Sequence, residues 1–295
     1  MTLFRSLQKT PITRRRFLAG GACALGSLAA YSGEFERHRI DVTPSEVFLS
    51  GLPQAFEGYR IAQISDIHMD EFTEPFFVRD VVNRINSLNP DAVFLTGDFV
   101  TAELAPRKFA IGAAWQCAGL LDGLTCRRRY AVLGNHDVAI GTKPVSEALT
   151  AHGIIVLGNS YLPLERAGSR IWLAGLSDPL EGLPNPEAAI PASIRNIPHE
   201  PVILLCHAPD YVDDLLKLPS GQAVALMVCG HTHGGQIRLP FIGPLVLPEL
   251  GHKYVEGWFR FGQLQLHVNR GIGTVGIPFR FDCPPEISLL RLRSA

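Results

Sequence analysis

The residues at positions 60–68, R-I-A-Q-I-S-D-I-H, form a short apolar run that ends in an aspartate and a histidine. The pattern returns at 92–98 (A-V-F-L-T-G-D), 130–137 (Y-A-V-L-G-N-H-D), 202–207 (V-I-L-L-C-H) and 224–233 (V-A-L-M-V-C-G-H-T-H). Short runs rich in β-branched residues and bounded by glycine or proline are typical of buried strands. Five predicted strands therefore end in side chains that can bind a metal.

Helix-like segments lie between several of these strands. They span 75–88, 107–121, 145–152 and 211–218, and further strands are predicted at 171–176, 263–268 and 287–292. Strands that alternate with helices predict an α/β fold with one or more mostly buried sheets. No linker, repeat or low-complexity segment divides residues 34–295, which we expect to fold as a single domain.

Composition limits the possible partners. The chain has 295 residues, of which 46% are hydrophobic and 19% charged, and its formal net charge is -1. This is the composition of a folded globular protein. Because nucleic-acid binding requires accumulated positive charge, we expect no stable nucleic-acid partner. The six cysteines include no C-x-x-C pair, so we expect small core residues rather than a structural zinc site or a disulfide scaffold.

The amino terminus has the order of an export signal. Residues 13–18 read T-R-R-R-F-L, and small and apolar residues fill positions 17–31. This segment resembles a twin-arginine (Tat) signal. The resemblance implies that residues 1–33 address the chain to the Tat translocase and that the protein folds before export. The expected location is the periplasm, or the outer face of the cytoplasmic membrane or cell wall. Cleavage is expected near 29–33, and retention as a tether is the alternative.

Histidines and aspartates concentrate directly after the predicted strands. They are Asp66, His68, Asp98, His136, His207, His231 and His233. Ligands of open α/β sheets bind outside the carboxyl ends of the strands, so we expect these side chains to converge on one rim. A mixture of imidazole and carboxylate indicates Mn, Fe or Zn rather than Ca or Mg.

The candidates outnumber the ligands that a single ion takes. Two divalent metal ions that share a bridging carboxylate are the simplest arrangement. Such a pair clamps the attacking and leaving oxygens during displacement at phosphorus, which predicts the hydrolysis of a phosphate ester.

These blocks, D-x-H, G-D, G-N-H-D, H and G-H-T-H in that order, resemble a calcineurin-like metallophosphoesterase. The resemblance implies a four-layer α-β-β-α sandwich with two mixed sheets flanked by helices. It implies that one metal is held by Asp66, His68, Asp98 and His233, and the other by Asp98, Asn135, His207 and His231. His136 would then be a catalytic histidine that is not a ligand, and a metal-bridging hydroxide would attack phosphorus in line.

The chain departs from the pattern of many relatives at one place. Their G-D block is followed by an Asp-Arg pair whose aspartate orients the catalytic histidine. Thr101 and Ala102 occupy those positions here, which leaves the orienting partner of His136 open. Asp137, the next residue, need not face the same side.

The later segments narrow the resemblance. Residues 231–239, 269–273 and 278–284 are similar to the branch that contains Tat-exported bacterial phosphodiesterases, which also resembles UDP-2,3-diacylglucosamine diphosphatases. Residues 239–250 (L-P-F-I-G-P-L-V-L-P-E-L) contain no Lys or Arg, and form either a packed loop or a lipid-facing lip with peripheral membrane contact. We therefore expect a phosphodiesterase acting on a phosphodiester. The alternatives are a diphosphatase acting on a lipid-linked phosphate and a non-catalytic exported metal-binding module.

Overall fold

The computed structural model describes residues 13–69, 72–102 and 107–295. Within these residues the chain forms fourteen strands and eight α-helices. The strands are β1 (Asp41–Leu49), β2 (Arg60–Ile64), β3 (Ala92–Leu95), β4 (Arg129–Ala131), β5 (Ile155–Val156), β6 (Ser160–Arg166), β7 (Ser169–Gly175), β8 (Val202–Leu205), β9 (Val224–Cys229), β10 (Arg238–Leu239), β11 (Gly243–Pro244), β12 (Gly257–Phe261), β13 (Leu264–Val268) and β14 (Glu286–Ser294). The helices are α1 (Arg14–Ala30), α2 (Pro75–Leu88), α3 (Arg107–Leu121), α4 (Asn135–Ala151), α5 (Pro186–Ala189), α6 (Ala192–Arg195), α7 (Val212–Leu215) and α8 (Pro219–Gln222).

Twelve of the strands form two six-stranded mixed sheets. The first has the order β1-β14-β2-β3-β4-β5 and the second the order β12-β13-β9-β8-β7-β6. Strands β2 to β5 run parallel to one another, as do β13, β9, β8 and β7. The remaining pair, β10 and β11, forms a small antiparallel hairpin.

The helices and the two sheets stack in four layers, with an apolar core between each pair of neighbouring layers. A central core that includes Ile61, Phe94 and Val228 lies between the two sheets. A second core packs α2, α3 and α4 on the outer face of the first sheet, and a third packs α5 to α7 on the outer face of the second. The predicted α-β-β-α sandwich of two mixed sheets is confirmed.

The central strands were predicted because both of their faces are buried. Phe94 of β3 points into the central core, while Val93 and Leu95 pack under the helices. A strand covered on both sides reads as an unbroken apolar run. The edge strands β1 and β6 alternate between buried and exposed positions, and the sequence analysis did not find them.

Two predicted helices match and two differ in extent. α2 and α3 have the predicted bounds. The helix predicted at 145–152 is the second half of α4, which begins at Asn135 and is interrupted at Gly141, where φ is 139°. Proline at 144 favours a start near that residue when the sequence is considered alone. The segment predicted at 211–218 contains only the short helix α7.

The amino-terminal helix α1 lies outside the sandwich and buries none of its residues. The body begins immediately after it, because Ser32, Gly33 and Glu36 are buried. Among the described residues, no helix has both the length and the apolar character needed to cross a membrane.

Candidate metal centre and active site

The candidate ligands follow the carboxyl ends of four strands. They are Asp66 and His68 after β2, Asp98 after β3, His207 after β8, and His231 and His233 after β9. Asn135 and His136 form the start of α4, shortly after β4. The fold therefore brings the residues of the five sequence blocks to one rim.

Five of these residues have a left-handed backbone. The φ angles are 54° at Asp66, 47° at His68, 55° at Asp98, 73° at His231 and 52° at His233. This conformation is uncommon for residues with a Cβ, although Asp and His adopt it more readily than most. It turns the chain sharply at each strand end. Strain of this kind concentrates at functional sites, where the surrounding structure holds it.

Asp66, His68 and His233 form a first buried group. Nε2 of His68 lies 3.1 Å from Nε2 of His233, which lies 3.5 Å from Oδ1 of Asp66. On the remote side of the ring, Nδ1 of His68 lies 2.9 Å from the hydroxyl of Thr101. With Nδ1 donating to that hydroxyl, the lone pair of Nε2 faces the group, as in a metal-binding histidine.

Asp98, His207 and His231 form a second buried group. Nε2 of His207 lies 3.1 Å from Nδ1 of His231 and 3.1 Å from Oδ2 of Asp98. The remote nitrogens face backbone carbonyls, since Nδ1 of His207 lies 2.6 Å from O of Thr96 and Nε2 of His231 lies 2.7 Å from O of Glu249. A carbonyl only accepts, so both remote nitrogens carry protons, and the nitrogens that face the group are available to a cation.

Asp98 lies between the two groups. Its Oδ2 is 3.1 Å from Nε2 of His207 and 3.6 Å from Nε2 of His68. Its Oδ1 accepts a hydrogen bond of 3.0 Å from the backbone N–H of His136. One carboxylate thus faces both groups, as the sharing of a ligand between two cations requires.

The side chain of Asn135 supplies an independent observation. Its Oδ1 is buried and has no hydrogen-bond partner among the described residues. Buried polar atoms are almost always bonded, so an orphaned oxygen beside imidazoles and carboxylates indicates a ligand. The residues present therefore fit a pair of divalent cations.

Burial keeps most of these rings neutral. It lowers the pKa of His231 to about 4, and it lowers the pKa of His68 and of His233 well below the usual value. Burial also acts to lower the pKa of His207, but the carboxylates around it, Asp98 foremost and then Asp66 and Asp178, together raise that pKa well above the usual value. The field that raises this pKa also attracts a metal cation to the same place.

Two glycines let the backbone pass close to the carboxylates. A Cβ at Gly134 would collide with the carboxylate of Asp98, and a Cβ at Gly230 would collide with Asp66 and Ser65. Any side chain at these positions would displace a candidate ligand.

Comparison with known proteins agrees with this geometry. The family described as "Calcineurin-like phosphoesterase" matches residues 59–235. The chain belongs to this family. Its members use a dimetal centre, and the chain is accordingly a hydrolase of phosphoesters.

Three relatives are similar to the chain over most of its length. It is 34% identical over 293 residues to the metallophosphoesterase YkuE of Bacillus subtilis. The aligned region covers 96% of this chain and 98% of YkuE. It is 30% identical over 294 residues to the phosphodiesterase YaeI of Escherichia coli, with coverage of 95% and 99%. It is 27% identical over 305 residues to the UDP-2,3-diacylglucosamine pyrophosphatase LpxG of Chlamydia muridarum, with coverage of 81% and 86%. The similarity to all three extends beyond the matched segment.

A backbone amide orients the candidate catalytic histidine of this family member. Nδ1 of His136 accepts a hydrogen bond of 3.1 Å from the N–H of Ala102. The proton of the neutral ring is then on Nε2. The ring packs edge-on against His68, with 5.0 Å between ring centroids. The amide of Ala102 thus positions the ring as a donor, whereas the aspartate of many relatives would accept a hydrogen bond from Nδ1–H.

Asp137 does not take part in orienting that histidine. Its Oδ2 accepts hydrogen bonds from the N–H groups of Asp98 (2.8 Å) and Gly134 (3.0 Å), and its Oδ1 from those of Phe99 (2.9 Å) and Val100 (3.3 Å). Burial raises the pKa of Asp137, and the amide donors oppose the rise. These bonds fix the loop that carries the shared carboxylate against the first turn of α4.

A cavity of about 460 Å³ is lined in part by the candidate metal ligands. Its polar lining includes Asp98, Asn135, His136, His231 and His233. Its apolar wall includes Ile237, Leu245, Val246, Pro248, Val275 and Ile277. A ligand in this cavity meets both cation-binding groups and an apolar surface.

Arg280 is a site residue that the sequence analysis missed. It is fully buried, and its guanidinium donates to the carbonyls of Arg270, Gly273 and Cys283 at 2.9, 2.6 and 3.0 Å. Its Nη2 lies 3.5 Å from Nδ1 of His233. Arg280 therefore fastens the loop at 270–283 behind the first group. The one signal in the sequence is an arginine flanked by two phenylalanines at 279–281.

Proposed function

We propose that the protein is a dimetal phosphodiesterase. The observation that carries this proposal is the position of Asp98, whose Oδ2 lies 3.1 Å from one histidine of the second group and 3.6 Å from one of the first. One cation would be held by Asp66, His68, Asp98 and His233, and the other by Asp98, Asn135, His207 and His231. Bound there, two divalent cations would neutralise the phosphoryl oxygens and lower the pKa of a water molecule for attack at phosphorus.

The role of His136 follows from its hydrogen bond. Because Ala102 donates to Nδ1, the ring, which lines the cavity, carries its N–H at Nε2. That N–H would donate a hydrogen bond to the phosphoryl group as charge develops. Protonation of the leaving oxygen is disfavoured, because a ring whose Nδ1 accepts from Ala102 would be left as an imidazolate. His136 is therefore a catalytic residue in this proposal and not a metal ligand.

A lipid-linked diphosphate is the second candidate substrate. The apolar wall of the cavity favours it, because a purely ionic substrate leaves Leu245, Val246 and Ile277 without a partner. The similarity to LpxG, whose name describes a diacylated nucleotide-sugar substrate, supports the same class.

Turnover of simple substrates tests the proposal. With Mn, Zn or Fe(II), we expect the purified chain to hydrolyse bis(p-nitrophenyl) phosphate, and a chelator to stop the reaction. Added metal is also expected to raise the melting temperature. A ligand that binds only the folded state stabilises it by about 2.7 kcal/mol at 100 times its Kd.

Three outcomes are distinguishable in this assay. Release of UMP from UDP-2,3-diacylglucosamine, faster than hydrolysis of the nitrophenyl diester, would favour the diphosphatase. Metal-dependent stabilisation without turnover of either substrate would favour the non-catalytic metal-binding module. The absence of both effects would contradict the metal site itself.

We also propose that the protein is exported by the Tat translocase. Arg14 and Arg15 open the exposed helix α1, and the arginine guanidinium presents a planar fork that lysine lacks. Replacing both by lysine is expected to leave most of the protein in the cytoplasm, as measured by cell fractionation. The matched variant Arg16→Lys is expected to be exported as before, and equal export of both variants would contradict the proposal.

A further inference from the structure

The tip of the β10–β11 hairpin exposes large apolar side chains. Leu239 pairs with Gly243, so Phe241 and Ile242 lie at the turn. Phe241 is fully exposed and Ile242 is 71% exposed. Phe241 also has a left-handed backbone, with φ at 66°, which is unfavourable for a bulky residue. No packing within the described part of the chain offsets this strain.

The hairpin tip is continuous with the mouth of the cavity. Leu245 and Val246, which follow the hairpin, are 52% and 79% exposed and line the apolar wall. Ile277, on the neighbouring loop, is 48% exposed and lines the same wall. An apolar surface thus extends from the hairpin tip to the cavity that the candidate metal ligands line, and such continuous patches mark interaction sites.

The amino-terminal segment joins the body beside that wall. The carbonyl of Ser32 accepts a hydrogen bond of 3.1 Å from the N–H of Arg280, and Gly33 packs on the ring of Phe279. Glu36 accepts a hydrogen bond of 3.1 Å from the N–H of Cys283. The loop that supplies Ile277 to the cavity wall therefore also holds the end of α1.

Helix α1 is a second apolar element without a partner in the described structure. Phe17, Leu18 and Leu25 are 71%, 58% and 70% exposed, and three arginines, Arg14 to Arg16, open the helix. Exposed apolar side chains next to a cluster of arginines match an anionic bilayer surface, which offers both headgroup phosphates and an apolar interior.

We propose that a lipid bilayer is the partner of this face, and that α1 is retained after export as part of the contact. The retention rests on the proposed export in a folded state. Ser32 and Gly33 are helical and buried in that state, so the expected cleavage segment is not presented in an extended form. The hairpin tip and α1 together place the mouth of the cavity on the membrane surface. The substrate class that follows is a phosphoester with an acyl chain, drawn from the bilayer.

Vesicle partitioning of the full chain tests the surface. The probes are vesicles of phosphatidylcholine with phosphatidylglycerol, and of phosphatidylcholine alone. For the double variant Phe241→Asp and Ile242→Glu, the partition coefficient onto vesicles is expected to fall at least about tenfold, because two apolar side chains no longer enter the bilayer. Aspartate tolerates the left-handed backbone at 241, so the hairpin is expected to remain folded.

The matched control is Phe48→Asp. Phe48 is 52% exposed and pairs with Arg293 of β14. It therefore lies near the amino end of β2, whereas the candidate metal ligands follow the carboxyl end of that strand. We expect this variant to partition like the natural chain. Equal partitioning of the tip variant and the natural chain would overturn the proposal. So would a concentration-dependent dimer that the tip variant abolishes, because the surface would then be an interface between copies.

Two further readings separate this proposal from the proposed function. Phe241 and Ile242 do not line the cavity, so turnover of dissolved bis(p-nitrophenyl) phosphate is expected to be unchanged in the tip variant. If no variant turns over this substrate, the proposed function fails while the partitioning result stands. The intact mass of the exported protein tests retention, and a chain that begins near residue 33 would overturn that part.

Discussion

Replacing Asp98 by asparagine is expected to lower the turnover of a phosphodiester by about 10³-fold or more. Two neighbouring cations each contribute several kcal/mol of stabilisation to the transition state, and about 1.4 kcal/mol corresponds to a tenfold change in rate. Asp98 faces both groups at 3.1 and 3.6 Å, so a single neutral side chain weakens both sites. The measurements are kcat with saturating Mn and the metal content of the purified protein.

Asparagine keeps the structural roles of this position. It tolerates a left-handed backbone, here with φ at 55°, and its amide oxygen can still accept the N–H of His136. We therefore expect the variant to fold and to contain fewer than two metal ions per chain. The control is Asp80→Asn, an exposed position on α2, with unchanged rate and metal content. Two tightly bound ions in the Asp98→Asn protein would contradict the shared-ligand role.

Replacing His136 by alanine is expected to lower kcat by about 10²- to 10³-fold, the usual effect of losing one preorganised donor to developing charge. The metal content is expected to stay at the natural level, because Nδ1 of His136 is bonded to the amide of Ala102 and the proposed partner of Nε2 is the substrate. This combination of a lost rate and retained metal distinguishes His136 from Asp98. The measurement is the rate together with the metal stoichiometry of the same sample.

The control for this prediction is His152→Ala. His152 lies at the end of α4, where its Nδ1 faces the carbonyl of Ala148, far along the helix from the metal rim. We expect it to leave both the rate and the metal content unchanged. A loss of metal from the His136→Ala protein would show that this ring is a ligand, which the cluster of His68, Asp98 and His136 permits on distance alone.

Much of this architecture could be predicted because burial leaves a strong pattern. Strands such as β3 and β8 are covered on both faces and therefore appear as unbroken apolar runs. Polar residues at the end of such a run have to lie on the rim of the sheet. The prediction that Asp66, Asp98 and His231 lie close together followed from these two facts.

The features that could not be predicted depend on the backbone or on long-range packing. The donor to His136 is the backbone N–H of Ala102. Because every residue except proline carries such a group, the residue type at this position does not predict the hydrogen bond. Arg280 is satisfied by three carbonyls rather than by a carboxylate, and no complementary charge indicated its burial. The edge strand β6 was missed because half-exposed strands lack a continuous apolar run.

The left-handed turns at the strand ends restrict how this centre could be redesigned. Of the seven candidate ligands, Asp66, His68, Asp98, His231 and His233 occupy a backbone region that few side chains accept. A thiolate introduced there to favour a softer ion would have to overcome that conformational penalty as well as fit the ion. Asn135 and His207 have no such restriction, so a library that aims to change metal preference has its widest freedom at those two positions.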